Sequence, residues 1–234
     1  MYGLQLSCKN QVAPTTMAKA YHPIALYNTM GKVITAVVTD VLVFLTVRHS
    51  ILLSKCFGGF PSRTTVDSLL YLTHNIKNAW QRKKVVTILF LDIASTFPNT
   101  MTSHLLLNMR RLGYPMQLIN FFDAMLRDHH TRLTFDGYTS ELLPIYNGIG
   151  QGEPSLMILY LIYSYALVKI PQMESGDGGA YVDDTFFGWH ATHSKNMTPG
   201  SMPCWTNKMP GQRLTTPKQR PLSSNALDSH NVLM

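Results

Sequence analysis

Cysteine is scarce in this 234-residue chain, and the three present, Cys8, Cys56 and Cys204, stand far apart. That spacing excludes a disulfide framework and the paired cysteines of a structural zinc site, and fits a reducing, intracellular compartment. Charge is sparse too, at 14% of residues, with 13 acids against 20 Lys and Arg. Met1 to Lys19 lacks the charged start and apolar core of a signal peptide. What is abundant is apolar: 45% of the chain, ample for the core of one domain or two small ones. The net charge of +7 suits a polyanionic partner.

Two apolar runs approach membrane-spanning length. Val33 to Leu53 is interrupted by Asp40, Arg48, His49 and Ser50, so it reads as a buried helix, with a membrane span as the runner-up. Leu156 to Ile170 is apolar all round, hence buried, and short for a span. Thr64 to Trp80 reads as a helix with Thr64 and Asp67 forming a variant capping box, and Val66, Leu69, Leu70, Thr73, Ile76 and Trp80 at helical spacing. Gln81 to Lys84 ends it with positive charge suited to the helix dipole. Ser103 to Leu112 and Leu118 to Asp128 are two more helices, and Asp136-Gly137 marks a hairpin turn between Thr131–Phe135 and Leu142–Tyr146. His129-His130 reads as a helix end rather than a metal pair. From Trp189 the chain is proline-rich and weakly periodic, and its five basic residues against Asp228 carry four of the seven net charges. Most of the basic balance therefore lies in a segment expected to be disordered.

Two acidic stretches carry the chemistry. In Ala180-Tyr181-Val182-Asp183-Asp184-Thr185-Phe186-Phe187, two carboxylates sit between strand-like residues. Successive strand residues point to opposite faces, so a tight turn is needed to bring both acids to one place, at a hairpin tip suited to a hard divalent cation. Val85 to Asp92 is a short β-branched run ending in one acid, and reads as a buried strand. A polar turn explains the first stretch alone and a helix N-cap the second; one shared metal site explains both.

The order of the stretches resembles a known family. Phe90-Leu91-Asp92-Ile93-Ala94-Ser95-Thr96-Phe97, Gly148-Ile149-Gly150-Gln151-Gly152-Glu153-Pro154 and Tyr181-Val182-Asp183-Asp184 resemble motifs A, B and C of reverse transcriptases. Tyr21-His22-Pro23-Ile24-Ala25-Leu26 and Gly59-Phe60-Pro61-Ser62-Arg63-Thr64-Thr65-Val66-Asp67 resemble finger motifs of non-LTR retrotransposon polymerases, LINE-type elements of fungal genomes above all. The likeness covers residues 20–188. It implies an α+β fold: a palm, made of an antiparallel sheet backed by helices, with partial fingers and no thumb. Residues 1–19 become a poorly structured lead-in and 189–234 a disordered basic tail.

The implied activity is RNA-directed DNA polymerisation, with RNA template, DNA primer and deoxynucleoside triphosphates as partners and no membrane. In the family, Mg²⁺ (or Mn²⁺) ions are held by motif A and C carboxylates. Asp92 and Asp183 carry over as metal ligands, expected close together at a sheet edge, and Asp184 as the adjacent catalytic acid. Phe97 carries over as the ring under the sugar that disfavours a 2′-hydroxyl, and Gln151 and Gly152 as nucleotide contacts. Arg63 is placed for a phosphate contact. The sequence departs from the family at His22, Pro61, Thr96, Pro98-Asn99 and Pro154-Ser155-Leu156, none of them a metal ligand. No motif D, primer grip, thumb or endonuclease pattern is legible. The alternative readings are an inactive retroelement remnant that at most binds nucleic acid, and a membrane protein built on the two apolar runs. The polymerase reading implies an intracellular chain, nuclear if the element is active.

Overall fold

The helix Leu156–Lys169 (α5) is the element around which the core condenses. It has no polar face, and Ile158 through Tyr163 are each 0–1% exposed. The computed structural model of the chain describes residues 2–8, 21–52, 54–93, 96–135, 137–169, 177–191 and 214–215. Helix Thr102–Arg111 (α3) packs on α5 through Leu105 and Met109. Asn108 is buried between them and donates to the carbonyls of Ile162 and Tyr163 at 3.3 and 3.0 Å. A buried amide stays affordable only when so bonded. Helix Met116–Leu126 (α4) covers α3 with Ile119 and Phe122.

The strands form two sheets. In one, strand Tyr2–Cys8 (β1) lies between Tyr21–Leu26 (β2) and His129–Phe135 (β5), and β5 turns into Tyr138–Thr139 (β6) and also pairs with Leu143–Ile145 (β7). Phe135 and Tyr138, which flank the Asp136-Gly137 turn expected from sequence, face each other; Asp136 itself lies outside the described residues. His129-His130 opens β5 rather than ending a helix. The other sheet has the order Leu214–Thr215 (β10), Val85–Ile93 (β4), Asp184–Ala191 (β9), Asp177–Tyr181 (β8), Cys56–Phe57 (β3). It is antiparallel except for the β3–β8 pair. Period-two alternation assigns its faces. Leu89, Leu91, Ile93 and Phe187 join the α5 core. Val86, Ile88 and Phe186 meet helix Thr65–Gln81 (α2) on the opposite face, against Leu72, Ile76 and Ala79.

Four expectations change. Residues 2–8, read from sequence as part of a poorly structured lead-in, form β1, paired on both sides. Helix Thr29–Arg48 (α1) is not buried: Met30, Val33, Ile34, Val37, Val41, Phe44 and Val47 are all exposed, and only Thr35, Leu42 and Thr46 are buried. Its inward face is narrow and partly polar, tied down by a 2.7 Å hydrogen bond between the Thr46 and Tyr114 hydroxyls. Among the described residues it is the one helix long and apolar enough to cross a membrane. On α2 the capping box forms as expected, with Thr64 and Asp67 exchanging bonds. Its inward residues, however, are Ser68, Tyr71, Leu72, Asn75, Ile76 and Ala79, while Val66, Leu69, Leu70 and Trp80 point outward. Residues 189–191, expected to open a disordered tail, instead complete β9. Of the remainder, only Leu214–Thr215, paired with Asp92 and Ile93, falls within the described residues.

The loop between β7 and α5 joins the two sheets through backbone. The Gly148 and Ile149 amides donate to the carbonyls of Thr100 and Phe97 at 2.8 and 3.0 Å, and the Ala25 amide on β2 donates to the Gln151 carbonyl at 2.8 Å. Gly148 has φ +104°, and a Cβ there would lie 2.8 Å from the Pro98 carbonyl oxygen. Gly148→Ala is expected to destabilise the fold by about 2 kcal/mol or more, read as a lower urea midpoint with an unchanged m-value; a midpoint within error of the parent contradicts this close approach.

Candidate active site

Strand β4 ends beside the start of β9. Leu91 pairs with Thr185, so one step further the register sets Asp92 opposite Asp184. Both fall on the face of Phe90 and Phe186, since residues two apart share a face. Asp92 and Asp184 are exposed. The β8–β9 hairpin closes between the paired residues Tyr181 and Asp184, leaving Val182 and Asp183 as the turn. The turn is strained: Val182 has φ +57°, a left-handed conformation that a β-branched residue adopts only under constraint. The Val182 side chain is 5% exposed, and its amide donates to the Phe57 carbonyl at 3.2 Å.

Asp183 is half-buried in this turn. Burial, first of all, pushes its carboxyl above the usual range, its own backbone amide pulls the other way, and the charges of Asp184 and Asp92 push it up again. The charges of the other two acids expected from sequence thus reach Asp183. Among the described residues no three His, Cys, Asp or Glu side chains form a ready-made metal cage. The donor set is all carboxylate, which suits a hard cation that keeps waters and substrate phosphates as its other ligands.

The other expected residues are placed as follows. Phe97 follows β4 and packs edge-on against Tyr160, with ring centres 5.5 Å apart, so it braces the core. Gln151 lines a cavity of about 90 Å³ with Ala25, Tyr27, Pro98 and Gly150. Gly152 next to it is exposed. Arg63 is engaged with backbone: one of its guanidinium nitrogens lies 2.8 Å from the Cys56 carbonyl oxygen, and the group sits over the Phe60 ring.

Two features escaped the sequence reading. Asp177 collects the Lys55 ammonium, the Tyr71 hydroxyl at 2.5 Å, the Asn75 amide at 2.8 Å and the Gly178 N–H at 2.9 Å, binding β8 to α2. Nothing local marks it, because its side-chain partners lie over a hundred residues away. Glu153 is 4% exposed; one of its oxygens accepts from the Ser155 amide and hydroxyl just ahead of α5, and the other has no partner among the described residues. An acid between Gly152 and Pro154 ahead of an apolar helix was the available signal.

No family model matches the chain. It is 24% identical over 175 residues to the "RNA-directed DNA polymerase from mobile element jockey" of Drosophila melanogaster, covering 73% of this chain and 19% of that protein. It is 28% identical over 104 residues to the "Retrovirus-related Pol polyprotein from type-1 retrotransposable element R2" of Popillia japonica, covering 44% of this chain and 17% of that one. The chain thus spans less than a fifth of the length of these curated relatives. Telomerase from Candida tropicalis in complex with a fragment of telomeric RNA superposes with TM-score 0.59 at 9% identity, over 83% of this chain and 37% of that one. The Candida albicans enzyme gives 0.51 at 10%, over 80% and 38%. The sequence is similar to reverse-transcriptase domains of non-LTR, LINE-type elements, and the fold is a reverse-transcriptase palm with partial fingers.

Burial pushes the Glu153 carboxyl above its ordinary value, opposed by the bonds from Ser155. A carboxyl raised in the folded state adds stability below its unfolded value and loses it as pH rises through the folded one. Glu153→Gln is therefore expected to gain stability relative to the parent as pH rises from 4 to 8, followed by thermal melts. A gap that stays constant across that range would show that Glu153 carries no such linkage.

Proposed function

We infer that this chain is the polymerase portion of a retrotransposon-derived RNA-directed DNA polymerase, acting by two-metal-ion transfer of deoxynucleotides onto a primer 3′-hydroxyl. The observation that carries this reading is the register of β4 against β9, which sets Asp92 opposite Asp184 and next to the strained turn that bears Asp183. Asp92 and Asp183 would hold divalent ions, Mg²⁺ or Mn²⁺, which supply charge neutralisation at the triphosphate and a lowered pKa at the primer hydroxyl. The protein's own part is placement. The β8–β9 turn presents Asp183 while β4 presents Asp92, so the two arrive from separate strands on a rigid sheet. Asp184 adds negative charge that draws the cations in. Phe97, braced by Tyr160, supports discrimination against a ribose 2′-hydroxyl, and Gln151 and Gly152 support contact with the nucleotide and the template. The RNA template, the primer and the deoxynucleotides are partners on this reading.

The uncaged arrangement of the acids favours one second reading, an inert remnant. Mn²⁺ titration of the chain, followed by paramagnetic relaxation, addresses the ligands. Losing even an outer-shell partner of a metal ligand costs about 10–100-fold in affinity, so Asp92→Asn and Asp183→Asn should each weaken binding at least about tenfold. Activity is tested by splicing residues 20–188 in place of the matched segment of the jockey polymerase. Primer extension on an RNA template is expected, and Asp183→Asn should abolish it. A chimera that folds, binds primer-template and extends nothing sinks the polymerase reading and leaves the remnant.

A further inference from the structure

Strand β3 is two residues long and lies at the edge of the palm sheet. Its backbone carbonyls divide between two partners. The carbonyls of Lys55 and Phe57 accept from the Ala180 and Val182 amides of the acid-bearing hairpin, at 3.1 and 3.2 Å. The alternating carbonyls, Ser54 and Cys56, face the Arg63 guanidinium at 3.4 and 2.8 Å. Arg63 thus occupies the position that a further strand would fill. The group is further held over the Phe60 ring, 5.1 Å from its centre, and the Arg63 carbonyl accepts from the Gly58 amide at 3.2 Å. One guanidinium nitrogen serves both carbonyls, and the planar group is aimed at them by lying over the Phe60 ring, a stacking that a lysine ammonium does not reproduce.

The consequence reaches the acids. A left-handed valine persists only where its surroundings over-determine it. The surroundings of Val182 are the 54–63 loop: the Phe57 carbonyl fixes its amide, and Gly58 leaves room for its side chain, since a Cβ on Gly58 would lie 2.8 Å from Val182 Cγ2. A two-residue edge strand is a weak anchor unaided, and Arg63 closes its outer side. We propose that Arg63 is a positioning residue, whose guanidinium completes the edge of β3 and through it sets the Val182 turn that presents Asp183. The positioning role rests on the polymerase reading, whereas the edge-completing role does not.

Two readouts on the full chain separate the two. Amide hydrogen exchange at Ala180 and Val182 reports the β3 edge, and Mn²⁺ affinity reports the acids. Arg63→Ala is expected to speed exchange at both amides at least about tenfold, the effect of losing a charge-assisted hydrogen bond, and to weaken Mn²⁺ binding, with exchange in β5 unchanged. Arg63→Lys keeps the charge but not the planar group stacked on Phe60 that aims the donor, and should resemble Arg63→Ala in both readouts. Unchanged exchange in Arg63→Ala overturns the edge role. Faster exchange with full Mn²⁺ affinity overturns the positioning role. Mn²⁺ affinity restored by Arg63→Lys without restored protection assigns Arg63 to electrostatics and also overturns it. A parent chain that binds no Mn²⁺ sinks the polymerase reading and the positioning role together, while the exchange data still decide whether Arg63 holds the edge.

Discussion

Backbone meeting backbone is the constraint on which the arrangement depends. The 148–151 loop bonds to Phe97 and Thr100 on one side and to Ala25 on the other. So close an approach needs residues without side chains, and a Cβ at Gly150 would come within 2.8 Å of the Ala25 Cβ. One short loop therefore fixes the turn after β4 relative to the finger strand β2 and to the start of α5. Ile149, 3% exposed within the loop, anchors it in the core. Glu153 adds a second anchor by accepting from Ser155 just ahead of α5 with one oxygen, while the other is buried without a partner among the described residues.

Elements that follow from local chemistry were legible in the sequence. The Thr64–Asp67 capping box and the β-branched strand through Asp92 depend on neighbours along the chain, and each formed, although the strand, expected to be buried, is enclosed only at Leu91 and Ile93; Phe135 and Tyr138, which flank the expected Asp136-Gly137 turn, pair with each other. The hairpin was legible as a hairpin but not in its turn, which was expected to hold both acids. The turn is Val182–Asp183, and Asp184 already pairs with Tyr181. Valine is a poor turn residue on local grounds; its conformation is held by Phe57 and Gly58, more than a hundred residues away. Arg63 was unreadable for the same reason, because its bonds go to carbonyls, which carry no sequence signal.

Apolarity was legible and its direction was not. The α1 and α5 stretches read alike, as helices to be buried. The α5 helix has neighbours on every side and its central residues are wholly enclosed. The α1 helix meets the rest of the chain along Thr35, Leu42 and Thr46 and leaves its wider apolar face outward. Composition states how much surface gains from leaving water; which side leaves it is decided by what stands opposite. On α2 the polar residues Ser68, Tyr71 and Asn75 face inward because β8 offers Asp177 as a partner to two of them.

The costs this chain carries are not spread evenly, and their distribution bears on whether the Asp-Asp pair is an ordinary polar turn. An ordinary hairpin turn takes residues that accept its dihedrals without strain, such as Asn-Gly. Here a β-branched residue is held left-handed, a half-buried carboxyl is pushed upward by burial and by two neighbouring acids, and an edge strand is arranged to hold the turn. Each raises the energy of the folded chain, and all meet at one end of one sheet. Strain and like charge concentrated in this way are expected where geometry is kept for binding rather than for stability. A divalent cation would relieve the charge and leave the strain in place as the device that aims Asp183. A turn selected for stability alone would have shed both.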